Sequence, residues 1–128
     1  MKCSVIPILA AVFFTVPAMA QPTAPKIIKG YKCMMLNITE LQSMDPNFHV
    51  FVRSAPSASA PVAGWATSVV IVPNDVVSQN GFVPMLRANG QKAWISETDI
   101  KPYRPVAAPN AHCVPQILPN GRVGIGPG

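Results

Sequence analysis

Phe82-Val83-Pro84-Met85-Leu86-Arg87-Ala88-Asn89-Gly90-Gln91-Lys92-Ala93-Trp94-Ile95-Ser96 is the stretch whose reading decides the fold. Two runs of β-forming residues flank Asn89-Gly90, the dipeptide best suited to a type I′ hairpin turn because both central residues need positive φ. A two-residue loop there puts Ala88 opposite Gln91, Leu86 opposite Ala93 and Met85 opposite Trp94. Pro84 has no N–H, so its strand is expected at a sheet edge or bulged at that point.

Working outward, short β segments recur. Ser68 to Val72 (SVVIV) is a compact apolar strand stopped by Pro73, and Asn74 to Gly81 reads as a loop or distorted hairpin connection. Phe48 to Ser54 (FHVFVRS) reads as a strand, and Ala55 to Trp65 as a small-residue loop with Pro56 and Pro61. Glu97 to Ile100 is a 3₁₀-like turn, and Lys101-Pro102-Tyr103 begins a last short strand. Upstream, Lys26 to Leu36 reads as one strand. Asn37 to Asp45 suits a short helical turn, with Asn37 as N-cap, Glu40 at N3, and Leu41 and Met44 on its inner face, or else an irregular loop. Asn37-Ile38-Thr39 is also a glycosylation sequon, a pattern often met by chance. Strands of about five residues, broken about every ten by turn signals, indicate a small all-β barrel.

Composition sets the limits. The chain has 128 residues, 15 of them proline, a net charge of +5 and only 12% charged residues, against about 25% in an average soluble protein. Those values exclude a large multidomain enzyme, a coiled coil and an acidic disordered tail. Lys2, an apolar run from Val5 to Val16, and Ala18-Met19-Ala20 have the plan of a secretory signal cleaved before Gln21. The apolar run is too short for a bilayer core, which takes about 20 residues. A periplasmic or secreted protein without a membrane anchor after cleavage is expected. Four regions result: a signal over 1–20, an N-terminal extension over 21–47, the barrel over 48–103, and an irregular Pro/Gly-rich tail over 104–128. The lysines form no basic run, so nucleic acid is not an expected partner.

Cys3 would leave with the signal, so Cys33 and Cys113 remain as an even pair. In an oxidising compartment they are expected to form a disulfide that ties the tail to the barrel. A metal-binding or catalytic use of the pair lacks a Cys-x-x-Cys spacing and a nearby acidic partner.

Three segments, in this order and separation, resemble the bacterial Src-homology-3-like (SH3b) domains. Val50-Phe51-Val52-Arg53-Ser54-Ala55-Pro56-Ser57 resembles their opening strand and loop, and Pro61-Val62-Ala63-Gly64 the segment that follows. Asn89 to Ser96 with Ile100 resembles their closing hairpin and terminal turn. The likeness covers Val50 to Tyr103. Ala55 and Ala93 stand where the family uses glycine, and Gly64 to Val69 departs from its Gly-Thr-Leu pattern. The resemblance implies an SH3-like barrel that acts as a binding module, for peptidoglycan or peptide, or that supports a neighbouring domain.

Catalytic motifs are missing from the sequence. It has no Gly-x-Ser-x-Gly elbow and no His-Glu-x-x-His helix, and Pro46 separates Asp45 from His49. A non-enzymatic protein without a cofactor is expected. His49, His112, Met34, Met35, Met44 and Met85 are copper-compatible types, but they form no His-x-His or spaced Met cluster, and no metal site is assigned. The ligand-binding candidates are Trp65, Tyr103, Arg53 and Trp94. Trp65, in a loop, either anchors a sugar ring or proline, or folds over the barrel end. For Trp94, core or hairpin packing is favoured over ligand contact, and for Arg53, pairing with Asp99 or Glu97. The expected function is recognition of a cell-envelope component, either glycan or a protein partner. The alternative is a structural or inhibitory protein that docks on a partner enzyme without a ligand pocket.

Overall fold

The structure, a computed structural model, describes residues 24–127. The secretory signal expected over 1–20 lies outside the described residues. Among the described residues the fold is all-β: ten strands in two antiparallel sheets, with one five-residue helix. The strands are β1 (Lys26–Ile27), β2 (Tyr31–Leu36), β3 (Val50–Arg53), β4 (Val62–Ala66), β5 (Val69–Pro73), β6 (Phe82–Leu86), β7 (Lys92–Ser96), β8 (Ile100–Pro102), β9 (Val114–Ile117) and β10 (Val123–Gly126). Seven of them form one sheet in the order β4-β3-β7-β6-β5-β2-β8. The other three form a small sheet in the order β1-β9-β10.

The larger sheet buries one face. Val50 and Val52 of β3, Val70 and Val72 of β5, Val83 and Met85 of β6, and Ala93 and Ile95 of β7 alternate inward at period two. The alternate residues point outward. Full burial of Val52, Val70, Val72 and Ile95 contributes roughly 1.5–3 kcal/mol for each side chain.

The deciding hairpin forms, but in another register. Leu86 faces Lys92, Met85 faces Ala93 and Pro84 faces Trp94. The loop has three residues, Ala88 to Gly90, and only Gly90 has positive φ (+82°). The Arg87 N–H donates to the Gln91 carbonyl (2.8 Å), and the Gly90 N–H to the Arg87 carbonyl (2.8 Å). This is a type I turn closed by a residue in αL, which needs one left-handed residue instead of two. The two-residue turn lies at the other end of β6, where Asn80 (φ 52°) and Gly81 (φ 79°) sit between Gln79 and Phe82, which exchange both backbone hydrogen bonds.

Pro84 lies on an interior strand and not at an edge. Hydrogen-bonded pairs alternate along β6–β7 from Arg87/Gln91, so Pro84/Trp94 is a non-bonded pair. The missing N–H is directed toward β5, which pairs with β6 only at Ile71/Leu86.

Four further expectations need correction. The segment Lys26 to Leu36 is broken by a turn at Lys29-Gly30, where Gly30 takes φ +84°. The helix α1 (Glu40–Met44) is capped by Thr39, not Asn37: the Thr39 hydroxyl accepts from the Gln42 N–H while the Gln42 side chain accepts from the Thr39 N–H. Leu41 and Met44 are exposed, because α1 buries no face. The tail is not irregular throughout, since β9 and β10 form a hairpin and β9 also takes β1 as a partner. The loop Pro119 to Gly121 repeats the three-residue construction, with the Gly121 N–H donating to Leu118 and the Leu118 N–H to Arg122.

Cys33 and Ile71, cross-strand neighbours on β2 and β5, are buried outside the main core cluster. The small sheet packs on this outer face through β9 against β2. The Cys33–Cys113 disulfide joins the layers, with Cα atoms 6.1 Å apart. The tail is therefore a second layer with its own buried contacts.

Candidate functional site

Alternation along β3 sends Val50 and Val52 inward and Phe51 outward. Phe51 faces Trp65 across the β3–β4 ladder. Both are exposed, Phe51 at 48% and Trp65 at 59%. His49, just before β3, stacks on Trp65 with ring centroids 4.7 Å apart and planes 29° apart, and lies 6.3 Å from the Phe51 ring. Trp65 is thus a strand residue and not a loop residue. Gly64 does not end the strand; its φ of +146° lies beside the register shift between Val52 and Arg53.

A groove of about 260 Å³ runs along this outer face, lined by Phe48, His49, Phe51, Arg53, Phe82 and Asp99 among others. Arg53 and Asp99 give it both signs of charge. Arg53 does not form the expected ion pair with Asp99 or Glu97; its Nη1 donates to the Ala60 carbonyl (3.2 Å), which holds the guanidinium against the 54–61 loop. Burial pushes the Asp99 carboxyl above its ordinary value. An aromatic shelf with a cation and a carboxyl beside it suits a ligand that offers a ring or apolar face together with polar groups.

The other candidates divide. Trp94, half-buried, lies opposite Arg53 across β3–β7 and opposite Pro84 across β6–β7, so it packs on the hairpin's outer face next to the groove. Tyr103 follows β8, which lies at the other end of the strand order from β4. The next N–H, that of Arg104, donates to the Met35 sulfur (3.0 Å), so Tyr103 belongs with β2 and not with the aromatic shelf. Sequence reasoning missed His49 and Phe51 as binding residues. The signal was available in the period-two alternation of His49 to Arg53, which places His49, Phe51 and Arg53 on one face.

Other surfaces carry less chemistry. The Asn37 side-chain nitrogen donates to the Thr98 carbonyl (3.3 Å) and the Thr39 hydroxyl caps α1, so both polar side chains of the sequon have structural partners. Among the described residues, no three of His, Cys, Asp and Glu come together as metal ligands. Among the same residues, no helix is long and apolar enough to cross a membrane. No family model matches the chain, and neither a curated protein nor a solved structure matches it.

Proposed function

We propose that this protein is an exported, non-enzymatic SH3-like module that recognises a cell-envelope component, peptidoglycan or a peptide of a protein partner. The observation that carries the reading is the exposed shelf of His49, Phe51 and Trp65. Large aromatic faces are held in water only at a cost of roughly 25 cal/mol per Å². Here they are stacked and in register on an outer strand face, beside Arg53 and Asp99. Such a shelf needs little reordering to receive a sugar ring or a peptide side chain.

The barrel assignment draws on the continuous antiparallel order β3-β7-β6-β5-β2 and on the 3₁₀ turn Glu97–Asp99 before the last strand of that sheet. Export draws on the signal-like first twenty residues, and the Cys33–Cys113 bridge is compatible with an oxidising compartment. The test is co-sedimentation with purified peptidoglycan. The wild-type chain is expected in the pellet, and Trp65→Ala and Phe51→Ala in the supernatant. Failure of the wild type to sediment, or full retention of both variants, removes the glycan reading.

A further inference from the structure

A second concavity, of about 190 Å³, opens between the end of β4 and the tips of the β6–β7 and β9–β10 hairpins. Its polar wall is Thr67, Arg87, Asn89 and Arg122, and Trp65 closes one side. Among the described residues, no Asp or Glu lines it, whereas two arginines do. Met85 and Leu86 are among its apolar lining residues, and an apolar surround strengthens the field of nearby charges.

Both arginines are positioned by the fold. The Arg87 guanidinium lies over Gly64, where an added Cβ would stand 2.8 Å from Nη2. A side chain at 64 would drive it out, so the glycine keeps this place open. Arg122 follows Asn120-Gly121 as Gln91 follows Asn89-Gly90, and in each loop the Asn Oδ1 accepts the N–H two residues on, at 3.0 Å. The Val123 N–H donates to the Ala88 carbonyl (2.9 Å), which joins the two hairpins beside the arginines.

From this arrangement we infer that the cleft binds an oxyanion, a carboxylate or phosphate group, between Arg87 and Arg122 against the Trp65 indole. The guanidinium fork matches two oxygens of one such group. The concavity, about 190 Å³, has room for such a group. The inference rests on the recognition reading only in sharing Trp65; its anion requires neither Phe51 nor Arg53.

The test uses the disulfide-bonded secreted chain, observed by NMR at the arginine Nε–H and tryptophan indole resonances. Probes are N-acetylmuramic acid, its neutral relative N-acetylglucosamine, and inorganic phosphate, at constant ionic strength with chloride. Saturable shifts at Arg87 and Arg122 are expected with at least one oxyanion, with none from the neutral sugar. Arg122→Gln, on an exposed loop, is expected to weaken binding about tenfold or more. Saturation by N-acetylmuramic acid alone assigns a carboxylated saccharide, and saturation by phosphate assigns a phosphate source. Linear shifts with every anion, an equal response to the neutral sugar, or undiminished binding in Arg122→Gln overturns the inference. Phe51→Ala separates the two sites, because it is expected to abolish sedimentation with peptidoglycan and leave the anion titration unchanged.

Discussion

The His49 imidazole lies stacked on the Trp65 indole, centroids 4.7 Å apart, and this contact sets the orientation of the most exposed Phe, Tyr or Trp ring among the described residues. Stacked aromatic pairs contribute about 0.5–1.5 kcal/mol beyond their burial. His49→Ala is therefore expected to cost about 1 kcal/mol or less in stability. It should loosen Trp65 enough to weaken the proposed binding to peptidoglycan while the core is unchanged. A denaturant melt and a sedimentation assay on the same variant separate the effects. An orienting role is supported by a binding loss with a midpoint shift no larger than about 1 kcal/mol accounts for; unchanged binding refutes it.

Gly64 is constrained twice, by φ +146° and by the Arg87 guanidinium in the space a Cβ would take. Gly64→Ala is expected to destabilise by about 1–3 kcal/mol from backbone strain, with a further loss from displacing Arg87. Arg87→Ala in the same chain should recover the second part and not the first. A double-mutant cycle measures the coupling, and strict additivity would show that Arg87 and position 64 are independent.

Much of this was legible in advance, and the misreadings have physical causes. Alternation in His49 to Arg53 and the apolar run of β5 gave the sheet and its buried face. The hairpin register could not be read, because Phe82 to Leu86 is apolar at every position and either parity offers it a hydrophobic face. Asn-Gly also serves two loop lengths, since the longer one needs only the glycine in αL. The strands β9 and β10 were hidden by Pro115, Gly124 and Gly126, residues of poor β-propensity. Pairing with β1 and the bridge to Cys33 supply what propensity does not. Arg87 and Arg122 are 35 positions apart, and only the contact between hairpin tips makes them neighbours.

Removing the Cys33–Cys113 bridge releases a closed segment of 80 residues. The chain-entropy relation gives about 4.5 kcal/mol for a loop of that length. Cys113→Ser is expected to lose much of that value. Its first visible effect should be fast hydrogen exchange in β9 and β10, while β6 and β7 remain protected. Uniform acceleration across both sheets would show that the layers unfold as one unit.

Asp99 provides a pH signature. Its carboxyl is raised by burial, so the folded state holds the proton to higher pH than the unfolded chain, whose value is 3.8. Stability from this group is greatest at low pH and falls as pH rises from 3.8 through the folded-state value. Asp99→Asn is expected to raise the melting temperature at pH 7, with the gain vanishing below about pH 3. The backbone bond from the Asn37 N–H to the residue-99 carbonyl (2.7 Å) survives the change. A gain equal at both pH values would assign the effect to packing and not to charge.

The pairing of Lys26 with Ile117 and of Ile27 with Gln116 also sets an order of assembly. A chain emerging from a ribosome or an export channel presents residues 26–27 first, and their partners follow some ninety residues later. The hairpins between them close over short spans and form early, whereas contacts so distant in sequence form slowly. Until the last hairpin arrives, Ile27 has no strand to join, and Cys33 waits with a free thiol for Cys113. The oxidation step that joins the two sheets therefore cannot precede the appearance of residue 113, and a nascent chain arrested before that residue is expected to react with thiol reagents at Cys33.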